Sequence, residues 1–295
     1  MLNARRFLSA VQRFVWRGGK TEKYKVRSVL NPSCGITIVI PAYNEASRLG
    51  PTLDRVLDFV RQQAWDAEVI VVDDGSRDGT ADLVNAYALR NDIVRLVQNP
   101  RNRGKGYSVR NGVLNAQGAI VLFTDADLSS PIEEAPKLLQ ALHAGADLAI
   151  GSRWVRSELQ MQRQPMFRQL LGRAFNQLLR VMLRLEFKDT QCGFKAFWRD
   201  SATALFPLQR IEGWGFDPEI LFLARRAALK VVEVPVRWSH DSGTRIHPLA
   251  DGFRMVTDML RIRWYAATGK YGALSVRASA GTLPEGQLPQ PWKID

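Results

Sequence analysis

Three short apolar runs in this chain each break off into acids. Ile36-Thr-Ile-Val-Ile40 leads into Pro41-Ala-Tyr-Asn-Glu45, and Val69-Ile-Val-Val72 into Asp73-Asp-Gly-Ser-Arg-Asp-Gly-Thr80. The third, Ala119-Ile-Val-Leu-Phe-Thr, leads into Asp125-Ala-Asp127. A short, nearly unbroken apolar run is the pattern of a strand buried on both faces, as in a parallel sheet. Ligands of such sheets gather at the carboxyl ends of the strands. An isolated Asp-x-Asp is more often two solvated acids opening a turn. Three acid-bearing strand ends in one chain describe a site. Two carboxylates there, one in reach of a divalent ion and one of a polar ligand, suit a metal-bound diphosphate.

The spacing predicts strands over 36–40, 68–73, 93–98, 119–125 and 146–151, with helices over 46–63, 78–90, 105–116 and 132–143. Asp78 and Ser130 read as helix starts, with Pro131 at a first helical position. This βαβα order implies an α/β fold with a mostly parallel, doubly wound sheet. Beyond residue 190, Gly193–Trp198 and Lys230–Trp238 read as strands of a mixed extension, followed by a helix at about 249–266. The expected organisation is a basic amphipathic segment (1–30), one α/β domain (31–271) and a flexible tail (272–295) containing Gly281, Pro284, Gly286, Pro289 and Pro291.

The 295 residues carry a formal charge of +12, which calls for an anionic partner. Eight bases and one acid, Glu22, fall in residues 1–30. Leu2, Phe7, Leu8, Val11, Phe14 and Val15 lie between those bases at helical spacing, the pattern of an amphipathic helix on an anionic membrane surface. A second such segment, 161–187, interleaves Phe167, Leu170, Leu171, Phe175, Leu178, Leu179, Met182 and Leu183 with arginines. The alternative for each is a helix packing its apolar stripe on the core. No stretch approaches the ~20 apolar residues needed to span a bilayer, and the N-terminus makes a poor signal peptide. Two cysteines, Cys34 and Cys192, form no disulfide framework and point to a reducing compartment. The expected location is the cytoplasmic side of a membrane, with peripheral attachment. Nothing resembles a nucleic-acid-binding motif, so nucleic acid is not an expected partner. The loop Asn102-Arg-Gly-Lys-Gly-Tyr-Ser-Val-Arg-Asn-Gly112 lacks the spacing of a P-loop or of a dinucleotide fingerprint.

In order along the chain, the motifs are Pro41–Glu45, Val72–Thr80, Asn102–Gly106, Thr124–Pro131 and Gly151-Ser-Arg153. Downstream follow Asp189-Thr-Gln-Cys-Gly-Phe-Lys195, Trp214-Gly-Phe-Asp-Pro-Glu219 and Val234-Pro-Val-Arg-Trp238. As an ordered set they resemble the family 2 glycosyltransferases of the GT-A fold, within them the dolichyl-phosphate glucosyltransferase branch. Members of that branch often carry an N-terminal transmembrane anchor, whose place the basic segment takes here.

The resemblance implies a UDP-sugar donor, a polyprenyl phosphate acceptor and Mg²⁺ or Mn²⁺. It places Pro41, Ala42, Tyr43, Glu45, Lys105 and Ala126 around the donor, with Asp73 or Asp74 on uracil or ribose. Asp127 is the first choice of metal ligand, with Asp125 beside the ribose and metal. Arg153 and Arg245 would hold the acceptor phosphate, with Asp189, Gln191 and Lys195 near it, and Asp217 matches the base of relatives that use hydroxyl acceptors. Asp189 is expected to fix the loop carrying Cys192 and Lys195. A phosphate monoester is largely ionised near neutrality, its second pKa being about 6, so it needs positioning more than a strong base. Displacement by one of its oxygens would invert the anomeric centre, giving a β-linked lipid-phosphate glucose. Rival readings are another nucleotide sugar (GDP-mannose, UDP-GlcNAc), another acceptor, or a non-catalytic nucleotide-binding protein that docks on membranes. Cys192 reads as packing, His240 and His247 as structural or acceptor-lining, and Trp214 and Trp238 as core or stacking residues.

Overall fold

The structure, a computed structural model, describes residues 12–17, 20–25, 34–155, 176–239 and 248–272. Met1–Ser33 and Cys34–Asp295 form separate units. In the first, β1 (Gln12–Arg17) pairs antiparallel with β2 (Lys20–Lys25). Over these residues the expected amphipathic helix is replaced by extended chain. Consecutive Phe14, Val15 and Trp16 are strong strand formers, and helical spacing of apolar residues does not outweigh them. Leu2, Phe7, Leu8 and Val11 lie outside the described residues.

The second unit follows the predicted alternation closely. It begins β3 (Cys34–Ala42), α1 (Ala46–Gln62), β4 (Ala67–Asp73), α2 (Thr80–Ala88), β5 (Val94–Gln98), α3 (Lys105–Asn115), β6 (Gly118–Phe123), α4 (Ala135–His143) and β7 (Leu148–Ser152). After these come β8 (Lys195–Trp198), α5 (Arg199–Leu205), α6 (Phe216–Arg226), β9 (Val231–Pro235) and α7 (Pro248–Ala267). Helices α5 and α6 are additions to the reading from sequence. At two predicted helix starts the details differ. Gly79 caps α2, with Asp78 accepting from the Thr80 amide, and Pro131 precedes a 3₁₀ turn, Ile132–Glu134, that leads into α4.

The seven strands lie in the order β5-β4-β3-β6-β8-β7-β9. β5, β4, β3 and β6 are mutually parallel, as are β7 and β9, while β8 runs antiparallel between β6 and β7. Residues alternate across the sheet with period two. Ile38, Ile40, Val69 and Val71 join one core with Leu49, Leu53 and Val56 of α1 and Leu138 of α4. Val39, Ile70 and Val72 join a second core with Val109 of α3, Leu205 of α5, Phe216 of α6 and Met259 of α7. Helices thus cover both faces, which leaves the strand ends as the place for a ligand. Residues 176–183 are helical, with Leu179 and Leu183 fully buried. In its described part, the second basic segment therefore packs Leu179 and Leu183 on the core and leaves Leu178 and Val181 exposed; residues 161–175 lie outside the described residues.

Candidate active site

Ala42 and Asp73, the last residues of β3 and β4, are partners in register, and Asp125 follows two residues after β6. The acids at these ends do different things. Asp73 is buried and accepts from the Ser76 amide at 3.2 Å. Asp74 accepts from Asn99 Nδ2 (2.7 Å) and from the Arg103 (3.0 Å) and Gly104 (2.7 Å) amides. Its carboxylate is thereby committed to the loop that opens α3, which leaves Asp73 the better candidate for a ribose contact. Gly104 sits in that loop with a φ of 101°, and a Cβ there would stand 2.7 Å from the Glu212 carbonyl oxygen. No side chain fits such a position.

The loop delivers Lys105, the first residue of α3, to Asp125, with Nζ 2.5 Å from Oδ1. Lys105 Nζ also lies 5.0 Å from the ring centroid of Trp214, a side chain left half-exposed. Burial works against the ammonium charge, but the attraction of Asp125, Asp217 and Asp127 outweighs it and raises the lysine pKa. Three carboxylates from two segments, the turn after β6 and the start of α6, thus act on one cation. Asp127 Oδ1 accepts from the Ser129 amide at 2.9 Å, and the intervening Leu128 has a φ of 46°. A buried leucine in the left-handed region carries strain on the order of 1–3 kcal/mol, the sort that surrounding structure enforces at sites. Thr52 Oγ1 donates to the Ala126 carbonyl at 2.6 Å, tying α1 to the same turn.

Over Asp125 lies Gly193. A Cβ at residue 193 would stand 2.2 Å from Asp125 Oδ2. Two ion pairs lie nearby, one part-buried and one buried. Arg153 grips Asp189 with both arms of its guanidinium, Nε at 2.7 Å and Nη2 at 2.9 Å, and its backbone amide donates to the same carboxylate. Burial opposes both charges, yet the pairing raises the Arg153 pKa and holds Asp189 below its usual range. Lys195 pairs with Asp217 and donates to the Cys192 carbonyl at 2.6 Å, both side chains almost fully buried. Asp217 is therefore occupied by a cation and does not stand as an open base.

Other expected residues fall into place less centrally. Glu45 pairs with Arg48 and caps α1, and Tyr43 is exposed at the rim. Gln191 Nε2 lies 3.3 Å from Met255 Sδ of α7. Cys192 is buried, with its thiol pushed up to about 11 mainly by desolvation, in keeping with a packing role. Arg245, His240 and His247 lie outside the described residues.

The model of the family described as Glycosyl transferase family 2 matches residues 37–206, a span that holds Asp73, Lys105, Asp125, Asp127 and Gly193. The chain belongs to glycosyltransferase family 2. It is 34% identical over 261 residues to the dolichyl-phosphate beta-glucosyltransferase ALG5C of Trichomonas vaginalis, covering 84% of this chain and 77% of that one. It is 36% identical over 245 residues to the dolichyl-phosphate beta-glucosyltransferase of Drosophila melanogaster, covering 79% and 75%. The fold matches that of glucosyl-3-phosphoglycerate synthase from Mycobacterium tuberculosis, solved with Mn²⁺, UDP and glucosyl-3-phosphoglycerate. That match has a TM-score of 0.56 at 21% identity and covers 80% of this chain and 81% of that one. The expected GT-A α/β fold and glycosyltransferase class both hold.

For this family 2 enzyme, several residues that matter to the site escaped the reading from sequence. Asn99 links Asp74 to Ser108 and accepts from Asn111, holding the α3 loop from beneath. Glu233 of β9 accepts from the Lys188 and Asp189 amides. Gly193 was visible only as part of a motif, and its closeness to Asp125 is a product of the antiparallel β8. Asp125 and Asp127 offer oxygen donors only, which suits Mg²⁺ or Mn²⁺. Among the described residues no group of three His, Cys, Asp or Glu side chains could hold a metal.

Proposed function

We propose that the protein transfers glucose from UDP-glucose to a polyprenyl phosphate, with inversion, at the cytoplasmic face of a membrane. The observation that carries this reading is the engagement of Asp217 by buried Lys195 beside the Lys105–Asp125 pair. An acceptor hydroxyl would need a free base, whereas an ionised phosphate oxygen needs only to be aimed. The names of the relatives, dolichyl-phosphate beta-glucosyltransferases, support the same acceptor and sugar.

In this mechanism Asp73 and Ala42 border the nucleoside, and Lys105 faces the diphosphate from the start of α3. Asp127 and Asp125 would hold Mg²⁺ or Mn²⁺, which when bound neutralises charge developing on the leaving diphosphate. Arg153, fixed by Asp189, and Arg245 steer the acceptor phosphate. One phosphate oxygen forms a bond to the anomeric carbon as the bond to the UDP oxygen breaks on the opposite side. An α-linked donor then gives a β-linked polyprenyl phosphate glucose, and UDP leaves.

The test is a mass-spectrometric product screen of purified protein with Mg²⁺ or Mn²⁺, a short prenyl phosphate and UDP- or GDP-sugars offered singly. A hexosyl-phosphoprenol from UDP-glucose alone is the expected result. Release of free glucose without lipid product would remove the lipid acceptor, and product from GDP-mannose or UDP-GlcNAc would replace the donor.

A further inference from the structure

Helix α7 has two apolar faces, and the core uses one of them. Met255, Met259 and Ile262 are buried in the second core. On the outer side Phe253 is 73% exposed, Leu260 57% and Trp264 52%. Their spacings of seven and four residues correspond to about two turns and one turn, so all three fall in one stripe along the helix. Three large apolar side chains held in water along one line need a reason.

The charges around the stripe say what covers it. At about 100° per residue, Arg254 and Arg261 fall along one edge and Arg263 along the other. Lys270, just past the helix, has its Nζ 3.8 Å from the centroid of the Trp264 ring. The one acid in residues 252–272 is Asp258, which faces inward against Gly215 and pairs with Arg261. A tryptophan-containing apolar line edged by arginines and a lysine fits the boundary between acyl chains and anionic headgroups. It does not suit self-association, because a two-fold contact would set the arginines of one copy against those of the other.

We infer that α7 docks flat on an anionic lipid bilayer through Phe253, Leu260 and Trp264, with Arg254, Arg261 and Arg263 on headgroup phosphates. This rests on the reading of a membrane-borne acceptor and adds the surface that reaches it. The inner face of the same helix touches the site: Gln191 meets Met255, and a Cβ on Gly215, next to α6, would stand 2.7 Å from Asp258. Docking and acceptor entry thus share one element.

The experiment is co-sedimentation of the full chain with phosphatidylcholine vesicles, with and without phosphatidylglycerol. Phe253→Ser/Leu260→Ser/Trp264→Ser should lower partition onto anionic vesicles by about tenfold or more, since apolar burial and charge both drive such binding. Its turnover with a water-soluble short prenyl phosphate should stay unchanged. Arg254→Gln/Arg261→Gln/Arg263→Gln should reduce binding to anionic vesicles and leave neutral ones alike. Deletion of residues 1–25 from either variant separates any contribution of the N-terminal unit. Unchanged partition in the apolar variant overturns the inference, as does a change of its mass in solution with vesicle binding intact, which would mark a subunit interface. Loss of vesicle binding in the apolar variant, with no prenyl product even from the wild type, would keep the docking face and remove the proposed function instead.

Discussion

Gly193 and Asp125 are in contact with no room for a side chain between them: a methyl group at 193 would stand 2.2 Å from Oδ2 and 2.8 Å from Oδ1. The obstacle is a carboxylate rather than backbone, so Gly193→Ala can be accommodated by turning Asp125 away from Lys105. We expect transferase kcat/KM to fall by about a hundredfold, the scale of a misplacement near 1 Å, with a melting temperature close to wild type. A variant that loses stability and activity together would show that the contact serves packing alone.

Asp127→Asn keeps an oxygen to accept from the Ser129 amide, a bond of 2.9 Å in the native turn. The turn should persist while the charge is lost. Metal-dependent turnover should drop at least about a hundredfold, with unchanged circular dichroism. Near-normal turnover across a Mn²⁺ titration would remove Asp127 as a metal ligand.

Lys195→Met strands Asp217 in the interior without its partner. Breaking a buried pair from one side costs about 3–5 kcal/mol, to be read from urea denaturation. The double variant Lys195→Met/Asp217→Leu should recover much of that loss, because two apolar side chains replace two desolvated charges. Equal destabilisation by the single and double variants would contradict the pairing.

Asp189 makes stability acid-sensitive. Burial alone would raise its pKa, but pairing with Arg153 leaves it lowered. An unfolded aspartate titrates near 3.9, so below that pH the unfolded chain takes up a proton that the folded one refuses. The stabilisation is complete above about pH 5 and drains away as pH falls through the lowered folded value. Asp189→Asn should be less stable at neutral pH yet show a shallower decline between about pH 5 and pH 2. A parallel decline in both proteins would assign the acid sensitivity elsewhere, Glu134 with its lowered pKa being the next candidate.

Cys192, its thiol pushed up to about 11, carries little thiolate at neutral pH. Iodoacetamide at pH 8 should leave it unmodified in the native protein and label it in urea, as peptide mapping will show. Native labelling at the rate of a free thiol would mean that β8 and its preceding loop open readily.

The parallel half of the sheet was legible because its strands are buried on both faces and announce themselves as unbroken apolar runs. Asp125 and Asp127 stood out as candidates for the same reason, as polar breaks at the end of such a run. Partnerships across distant segments could not be read in the same way. Asp74 and Asp73 are adjacent in sequence, yet Asp74 holds the loop that opens α3 while Asp73 accepts within its own turn, and that division depends on where Gly104 and Asn99 arrive. Helix α6 was missed although its Phe216, Asp217 and Glu219 were noticed, because motif residues in its first turn interrupt the apolar period. The N-terminal reading failed over Phe14–Trp16 for the opposite reason: spacing was weighed and strand propensity was not.

The placement of β8 has a consequence for how the chain is made. β7 finds its hydrogen-bonded neighbours in β8 and β9, both encoded later, and β6 meets its second neighbour in β8. A nascent chain that has emerged as far as residue 152 can therefore pair β5, β4, β3 and β6, while β7 waits and the β6 edge stays open. At synthesis rates of about 5–20 residues per second, β8 follows after roughly two to nine seconds. During that interval an apolar strand edge is available to chaperones and to wrong partners. Arg153 and Asp125 are drawn into one site only when the later half of the message has been read. The enzyme cannot work from its amino-terminal half, and it is most vulnerable to misassembly while that half stands alone.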